Sequence, residues 1–129
     1  MKNKEMQWAL YPWFNEHGDD LIHPDDIESF IKITPSLRMF RVLPPQEEWS
    51  AIKYGENIFR VDSILLKIIP PCGNIFFEIG EKVKIVGGEE LALVEGNGWH
   101  HAKNSPFYIL RINGKVRSRR YWPDELQRT

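Results

Sequence analysis

Cysteine is nearly absent. The 129 residues include one, Cys72, so the chain closes no internal disulfide, and a reducing, cytoplasmic home is expected. That thiol reads as a small, partly buried group, because no flanking residue offers an activating charge. Long apolar runs are also missing. No segment approaches the roughly 20 apolar residues that would span a bilayer, so no membrane partner is expected. The opening MKNKEMQWALYPWF has no continuous apolar core of signal-peptide length. Net charge is almost nil, at −1, which argues against non-specific nucleic-acid binding by the whole surface. There is no nucleophile elbow, P-loop, dinucleotide fingerprint or zinc-ligand quartet. Ser29, Ser36, Ser50, Ser63, Ser105 and Ser118 stand in no motif context. These absences predict a protein that is not an enzyme, with no catalytic residue, no cofactor and no structural metal.

What is present is enough for a packed core. Apolar residues make up 42% and aromatic residues 12% of the chain, which excludes global disorder and allows one ordinary domain or two very small ones. Residues 76–126 carry the clearest pattern. Between Glu81 and Val86, Val83 and Ile85 alternate with Lys82 and Lys84, the period of a half-buried strand. Gly87-Gly88 ends that run, and Leu91 to Glu95 resumes it. Gly96-Asn97-Gly98 is expected to bend the chain before Trp99. Phe107 to Ile112 is aromatic and β-branched, and Asn113-Gly114 is a strong hairpin signal. Lys115 to Tyr121 is the predicted return strand, and Pro123 to Leu126 a short helical turn. Five short segments with glycine at the bends predict an SH3-like barrel.

The first half reads as a second small β unit. QWALYPWF, residues 7–14, opens with a strand that Pro12 places at a sheet edge or ends. Pro24 fits the first position of a helix over about 24–33, with Asp25, Asp26 and Glu28 in its first turn. Ile27, Phe30 and Ile31 give that helix an apolar face, and it must stop before Pro35. Met39 to Leu43 is a short strand that Pro44-Pro45 is expected to break. Trp49 to Tyr54 and Asn57 to Val61 flank Gly55-Glu56, a second hairpin. Ser63 to Ile69 fits either a helical turn or a strand. The predicted division is an N-terminal unit over 1–69, a linker over 70–73 and a C-terminal barrel over 74–129. The fold class is thus mainly β (α+β), with two small SH3-like units in tandem.

The halves echo one another. AIKYGENIFRVDSILL and ILRINGKVRSRRYWPDEL both run strand, glycine turn, strand with a late arginine, and apolar closing turn. With one extra residue in the second return strand, Gly55 matches Gly114, Arg60 matches Arg120, Val61 matches Tyr121 and Leu66 matches Leu126. Chance likeness between two hairpins remains the competing explanation. On this pattern Arg60 and Arg120 are expected to play equivalent structural roles. GDDLIHPDD, YGENIFRV and GWHHAKNSPFYILRINGKVRSRRYWPDEL resemble an uncharacterised family of small bacterial proteins with SH3-like strands, over residues 8–126. Similar endings occur in single SH3-like units of bacterial immunity-type proteins. The resemblance implies a fold and a cytoplasmic home, and no activity.

Three constellations could carry chemistry. Residues 16–28 hold six carboxylates, His17 and His23, with no Lys or Arg. They suit a divalent-cation or acid/base site, or else a polar turn and a dipole-matched helix start. Trp99-His100-His101 invites a zinc reading. Neighbours on a strand point to opposite faces, though, and no cysteine sits close in sequence. Residues 111–120 carry five basic residues and no acid. If Asn113-Gly114 forms a two-residue turn, Tyr108, Leu110 and Ile112 share a face with Lys115, Arg117 and Arg119. A basic stripe beside exposed aromatics suits an acidic protein patch or single-stranded nucleic acid; the bland alternative is a solvated face.

The reading favoured by the sequence is a non-enzymatic protein-binding module, with an immunity or antitoxin role as one specific form. Its binding residues are expected to be Trp99, Tyr108, Lys115, Arg117, Arg119, Tyr121 and Trp122, and its partner a protein with an acidic surface. The alternative is nucleic-acid binding through the hairpin at 111–120. A metal-dependent hydrolase built on the acidic segment is the weaker third.

Overall fold

Two five-stranded antiparallel sheets with the same strand order carry the chain in the computed structural model, which describes residues 7–70 and 76–129. It divides into two compact units, Met1–Pro70 and Pro71–Thr129. The fold is mainly β, with one short helix. Cys72 and most of the expected linker lie outside the described residues.

In the first unit, β1 (Trp8–Leu10), β2 (Met39–Gln46), β3 (Trp49–Tyr54) and β4 (Asn57–Val61) form a meander, and β5 (Lys67–Ile68) returns to pair with β1. The core is an aromatic cluster of Tyr11, Trp13, Phe30, Phe40 and Phe59 with Ile22, Ile52 and Val61. Phe30 is its hub. Its ring lies 5.0 Å from Phe59, 5.8 Å from Tyr11, 5.9 Å from Phe40 and 6.1 Å from Trp13, centroid to centroid. Tilted and edge-on aromatic pairs of this kind add stability beyond their buried area. Phe30 comes from the helix α1 (Ile27–Lys32) and is the helix residue that is fully buried.

That helix is shorter than the sequence predicts. Residues 24–26 form a turn rather than a first helical turn, because the Asp26 N–H donates to the His23 carbonyl at 2.9 Å and α1 begins only at Ile27. The Asp26 side chain is diverted to another task. Its carboxylate accepts the backbone N–H of Arg60 at 2.7 Å and both arms of the Arg60 guanidinium, at 3.0 and 3.1 Å. With His23 N–H donating to the Arg60 carbonyl and Asp62 N–H to the Leu21 carbonyl, residues 21–26 seal the outer edge of β4. An unpaired edge of this kind would otherwise template aggregation.

In the second unit, β6 (Lys82–Ile85), β7 (Leu91–His100), β8 (Ser105–Ile112) and β9 (Lys115–Val116) form the meander, and β10 (Leu126–Arg128) returns to β6. Phe77, Val83, Ala92, Val94, Tyr108, Leu110, Ile112, Tyr121 and Leu126 fill its core. Phe77 meets Tyr108 edge-on at 5.4 Å, and its N–H donates to the Tyr108 hydroxyl at 3.0 Å. In each unit a 3-10 turn precedes the returning strand: Ser63–Leu65, where the Asp62 side chain accepts the Ile64 N–H, and Pro123–Glu125, where the Trp122 N–H donates to the Glu125 carboxylate at 2.9 Å.

The hairpins form where the turn chemistry puts them. Ile112 opposes Lys115, and Asn113 and Gly114 both take positive φ, 53° and 78°, as a type I′ turn requires. Tyr54 opposes Asn57 across Gly55-Glu56. The first turn position is therefore Gly55 in one hairpin and Asn113 in the other, so Gly55 does not align with Gly114. The second return strand carries two extra residues, not one.

Four other expectations are corrected. Pro44-Pro45 does not break β2; the strand continues to Gln46 through a register shift after Leu43, where the prolines need donate nothing. Gly96-Asn97-Gly98 does not bend the chain out of the sheet. A bulge between Val94 and Gly96 absorbs the irregularity, and β7 runs on to His100. The return strand from Lys115 to Tyr121 is interrupted. It pairs at Lys115–Val116, leaves the ladder, and rejoins where Tyr121 opposes Tyr108. Arg60 and Arg120 do not play equivalent roles. Arg60 is clamped by Asp26, whereas Arg120 is exposed with its guanidinium over the Phe107 ring.

The Asp26 clamp makes a testable prediction. Burial alone pushes this carboxyl up, but the hydrogen bonds and charge of Arg60 outweigh it and hold the group below the usual carboxylate range. Asp26→Ala removes a carboxylate that is 13% exposed and leaves the Arg60 N–H unsatisfied. It should cost the first unit about 2 kcal/mol in urea unfolding at neutral pH. A depressed folded pKa stabilises above the unfolded value of about 3.9 and loses that contribution as pH falls through the folded one. The gap between wild type and variant should therefore close on acidification below about pH 4. An unchanged gap at pH 2 would show that charge is not what holds the clamp.

Candidate functional site

Glycine in the middle of a strand leaves room above the sheet. On β7 and β8, Gly98 opposes Phe107 and His100 opposes Ser105. A Cβ at Gly98 would overlap the far end of the Phe107 ring, so this ring reaches over the glycine. Trp122, the cap of the second 3-10 turn, packs beside it, 6.0 Å from Phe107 and 5.5 Å from His100, edge-on to both. The turn after β7 places Lys103 Nζ 4.2 Å from the centre of the Trp122 ring. The interrupted return strand places the Arg120 guanidinium 4.4 Å from the centre of Phe107. His100 Nδ1 accepts the Lys103 N–H at 3.1 Å, so a neutral His100 carries its proton on Nε2 as a remaining donor.

Two cations, one imidazole donor and two large rings thus share one outer face. Cation–π contact favours these positions for the exposed Lys103 and Arg120 side chains and leaves their charges unneutralised. Neither has a carboxylate partner among the described residues.

The basic run at 111–120 is not a stripe. Arg111 is bound bidentately by Glu95, at 3.0 and 3.3 Å. Hydrogen bonds from Arg111 and then its charge outweigh the small burial of Glu95 and hold that carboxyl below its usual range. Arg119 is bound by both oxygens of Glu125 and lies over the Tyr121 ring at 4.1 Å. Lys115 and Arg117 are exposed and have no side-chain partner among the described residues. They belong to the Asn113-Gly114 end of the hairpin. Lys115 opposes Ile112 and Tyr121 opposes Tyr108, so four residues of β8, roughly 13 Å, separate the two levels.

Several expected site residues are placed elsewhere. Tyr108 is fully buried and Tyr121 is 8% exposed, so neither is an exposed aromatic. Burial pushes the Tyr108 hydroxyl pKa up, against the partial relief of the Phe77 N–H. Trp99 opposes the buried Pro106 and alternates to the other side of β7 from Gly98 and His100. Trp122 is partly exposed and central to the face. Lys103 and Phe107 are not among the expected site residues, and His100 and Arg120 are expected only in the zinc reading and the basic run. The available signal was Gly98 within a β run, which invites an aromatic from the neighbouring strand to cover it.

In the acidic segment, Asp26 is committed to Arg60. His17 Nδ1 accepts the Phe14 N–H and His23 Nδ1 the Asp25 N–H, at 2.9 and 3.1 Å. Among the described residues no three of His, Cys, Asp and Glu converge to hold a metal ion, so the hydrolase reading gains no support.

A family model described as a family of unknown function (DUF6960) matches residues 1–127. The chain belongs to this family. No curated protein and no solved structure matches the chain. The DUF6960 match runs through both units, so the aromatic–cationic face belongs to the family region of the chain.

Gly98→Ala tests the geometry of the face without altering its charge. Gly98 has no positive φ, so the backbone tolerates alanine, and relief must come from the far end of the Phe107 ring. The variant should fold, while the ring-current shifts of Phe107 and the Trp122 indole move in NMR spectra. Unchanged Trp122 resonances would show that Phe107 does not position Trp122.

Proposed function

We propose that the chain is a non-enzymatic binding module whose second unit captures an acidic segment of another protein on the face formed by His100, Lys103, Phe107, Arg120 and Trp122. The single observation that carries this reading is the pair of cations lying over aromatic rings without carboxylate partners among the described residues. A partner's Asp or Glu side chains would supply the missing counter-charges, and its apolar side chains would cover Trp122 and Phe107. Charge complementarity across the interface gives specificity and a faster encounter, and the rings bias these two cations toward the face. Lys115 and Arg117, without a side-chain partner among the described residues, lie at the far hairpin end and serve to steer an acidic partner toward the face.

This reading takes each unit as an SH3-like barrel and the two as copies of one ancestral unit. The shared strand order and the 3-10 turn before each returning strand support it. A cytoplasmic home goes with the single cysteine. An immunity-type role is one form such a module could take.

Two charge reversals separate face from hairpin tip: Lys103→Glu with Arg120→Glu, and Lys115→Glu with Arg117→Glu. Capture from nuclease-treated native extract should survive the tip reversal with slower association. It should fall at least about tenfold with the face reversal, equivalent to 1.4 kcal/mol. All four side chains are exposed or surface-lying, so both variants should keep the wild-type unfolding midpoint. Equal capture by the face variant would place the surface elsewhere. Capture that nuclease abolishes would replace the protein partner with single-stranded nucleic acid, whose bases stack on exposed rings.

A further inference from the structure

A second site lies in the first unit. Asp19, Asp20, Ile22, Pro24, Ile27 and Trp49 line an open groove of about 540 Å³. Its floor is apolar: Ile22 is fully buried, and Ile27 and Trp49 are partly so. The His23 ring packs against Trp49 at 5.3 Å and holds the indole in place. Asp19 and Asp20 are exposed at the rim, and among the described residues no Lys or Arg lines the groove. The neighbouring cation, Arg60, is already neutralised by Asp26 at 3.0 Å, and the carboxylates of Asp25 and Glu47 also act on it. The field at the mouth of the groove is therefore negative.

We propose that this groove takes a lysine or arginine side chain from a basic segment of a partner protein. The chemistry of the lining selects that occupant. A long cationic side chain has an apolar stem and a charged head. The stem would lie on Ile22, Ile27 and Pro24, with the Trp49 ring face able to attract the cation, and the head would meet the rim carboxylates. A bare metal ion is disfavoured because no three ligand side chains converge among the described residues. An acidic or neutral apolar segment is disfavoured by the rim charge. The proposal stands on the first unit alone and does not depend on the face of the second.

Isothermal titration of the full chain tests it, with a synthetic peptide of alternating arginine and glycine, its glutamate counterpart, and spermine. The arginine peptide should bind, with affinity that falls as salt rises, and the glutamate peptide should not. Asp19→Asn with Asp20→Asn should weaken the arginine peptide at least about tenfold and flatten its salt dependence. Trp49→Leu should weaken it severalfold while leaving the salt dependence in place, because it removes the ring and not the charge. The Asn double variant alters exposed side chains and should unfold like wild type, so the test holds even if Trp49→Leu does not fold. No binding of the arginine peptide, undiminished binding by the Asn double variant, or tighter binding of spermine than of the peptide would each overturn the proposal. Loss of acidic-partner capture by the face reversal in the second unit should leave arginine-peptide binding intact.

Discussion

Every small sheet has two edges whose backbone groups need partners, and the whole chain is arranged around that requirement. In each unit four strands meander and a fifth comes back to the first: Ala9 opposes Ile68 in one, and Leu126 opposes Ile85 in the other. A 3-10 turn immediately before the fifth strand makes the return possible within a few residues. The remaining edge is handled differently in each unit. In the first, residues 21–26 cover β4, with Asp26 accepting a backbone N–H that no strand can reach. In the second, β9 is only two residues long and is followed by charged side chains, a common way to keep an edge from pairing.

The covering of β4 also organises the first core. The segment that brings Asp26 to Arg60 leads directly into α1, which delivers Phe30 to the centre of four other rings. Polar and apolar demands are met by consecutive turns of the same stretch. So acidic a segment can lie next to a core because one carboxylate closes the edge, while Asp19 and Asp20 stay in water beside the groove that Trp49 helps to line.

In the second unit, two extra residues in the return strand decide the surface. A ladder continued from Lys115 would have laid Arg117 and Arg119 in line along the sheet. The surplus residues leave the ladder, and the arginines part company. Arg119 finds Glu125, and Arg120 lands on Phe107. An arginine with a bidentate carboxylate is spent on the protein itself, because its charge is matched and its donors are used. An arginine on a ring keeps its charge and most of its donors. The difference between these two neighbours separates a structural ion pair from a residue available to a partner.

Local sequence determined the elements whose causes are local. Period-two alternation at Lys82–Ile85, Asn-Gly at 113–114, Gly55-Glu56 and the Pro123 turn act through the φ and ψ preferences of a few neighbouring residues, and each was legible without the fold. The limits of α1 were blurred, because Asp26 could serve as a first-turn acid or as an edge partner for Arg60, thirty-four residues away. The role of Gly98 is not legible in sequence, because a glycine reads as a bend until the ring that covers it is known. The basic run looked like one stripe because sequence lists charges without their counter-charges: Glu95 and Glu125 come from a bulge and a turn that only tertiary pairing brings alongside. What the sequence determined by itself is therefore the β character, the hairpins and the charge inventory. Which cations are neutralised and which aromatics reach the surface was decided by tertiary structure, since both depend on register between strands, and one residue of slip moves a side chain from core to solvent.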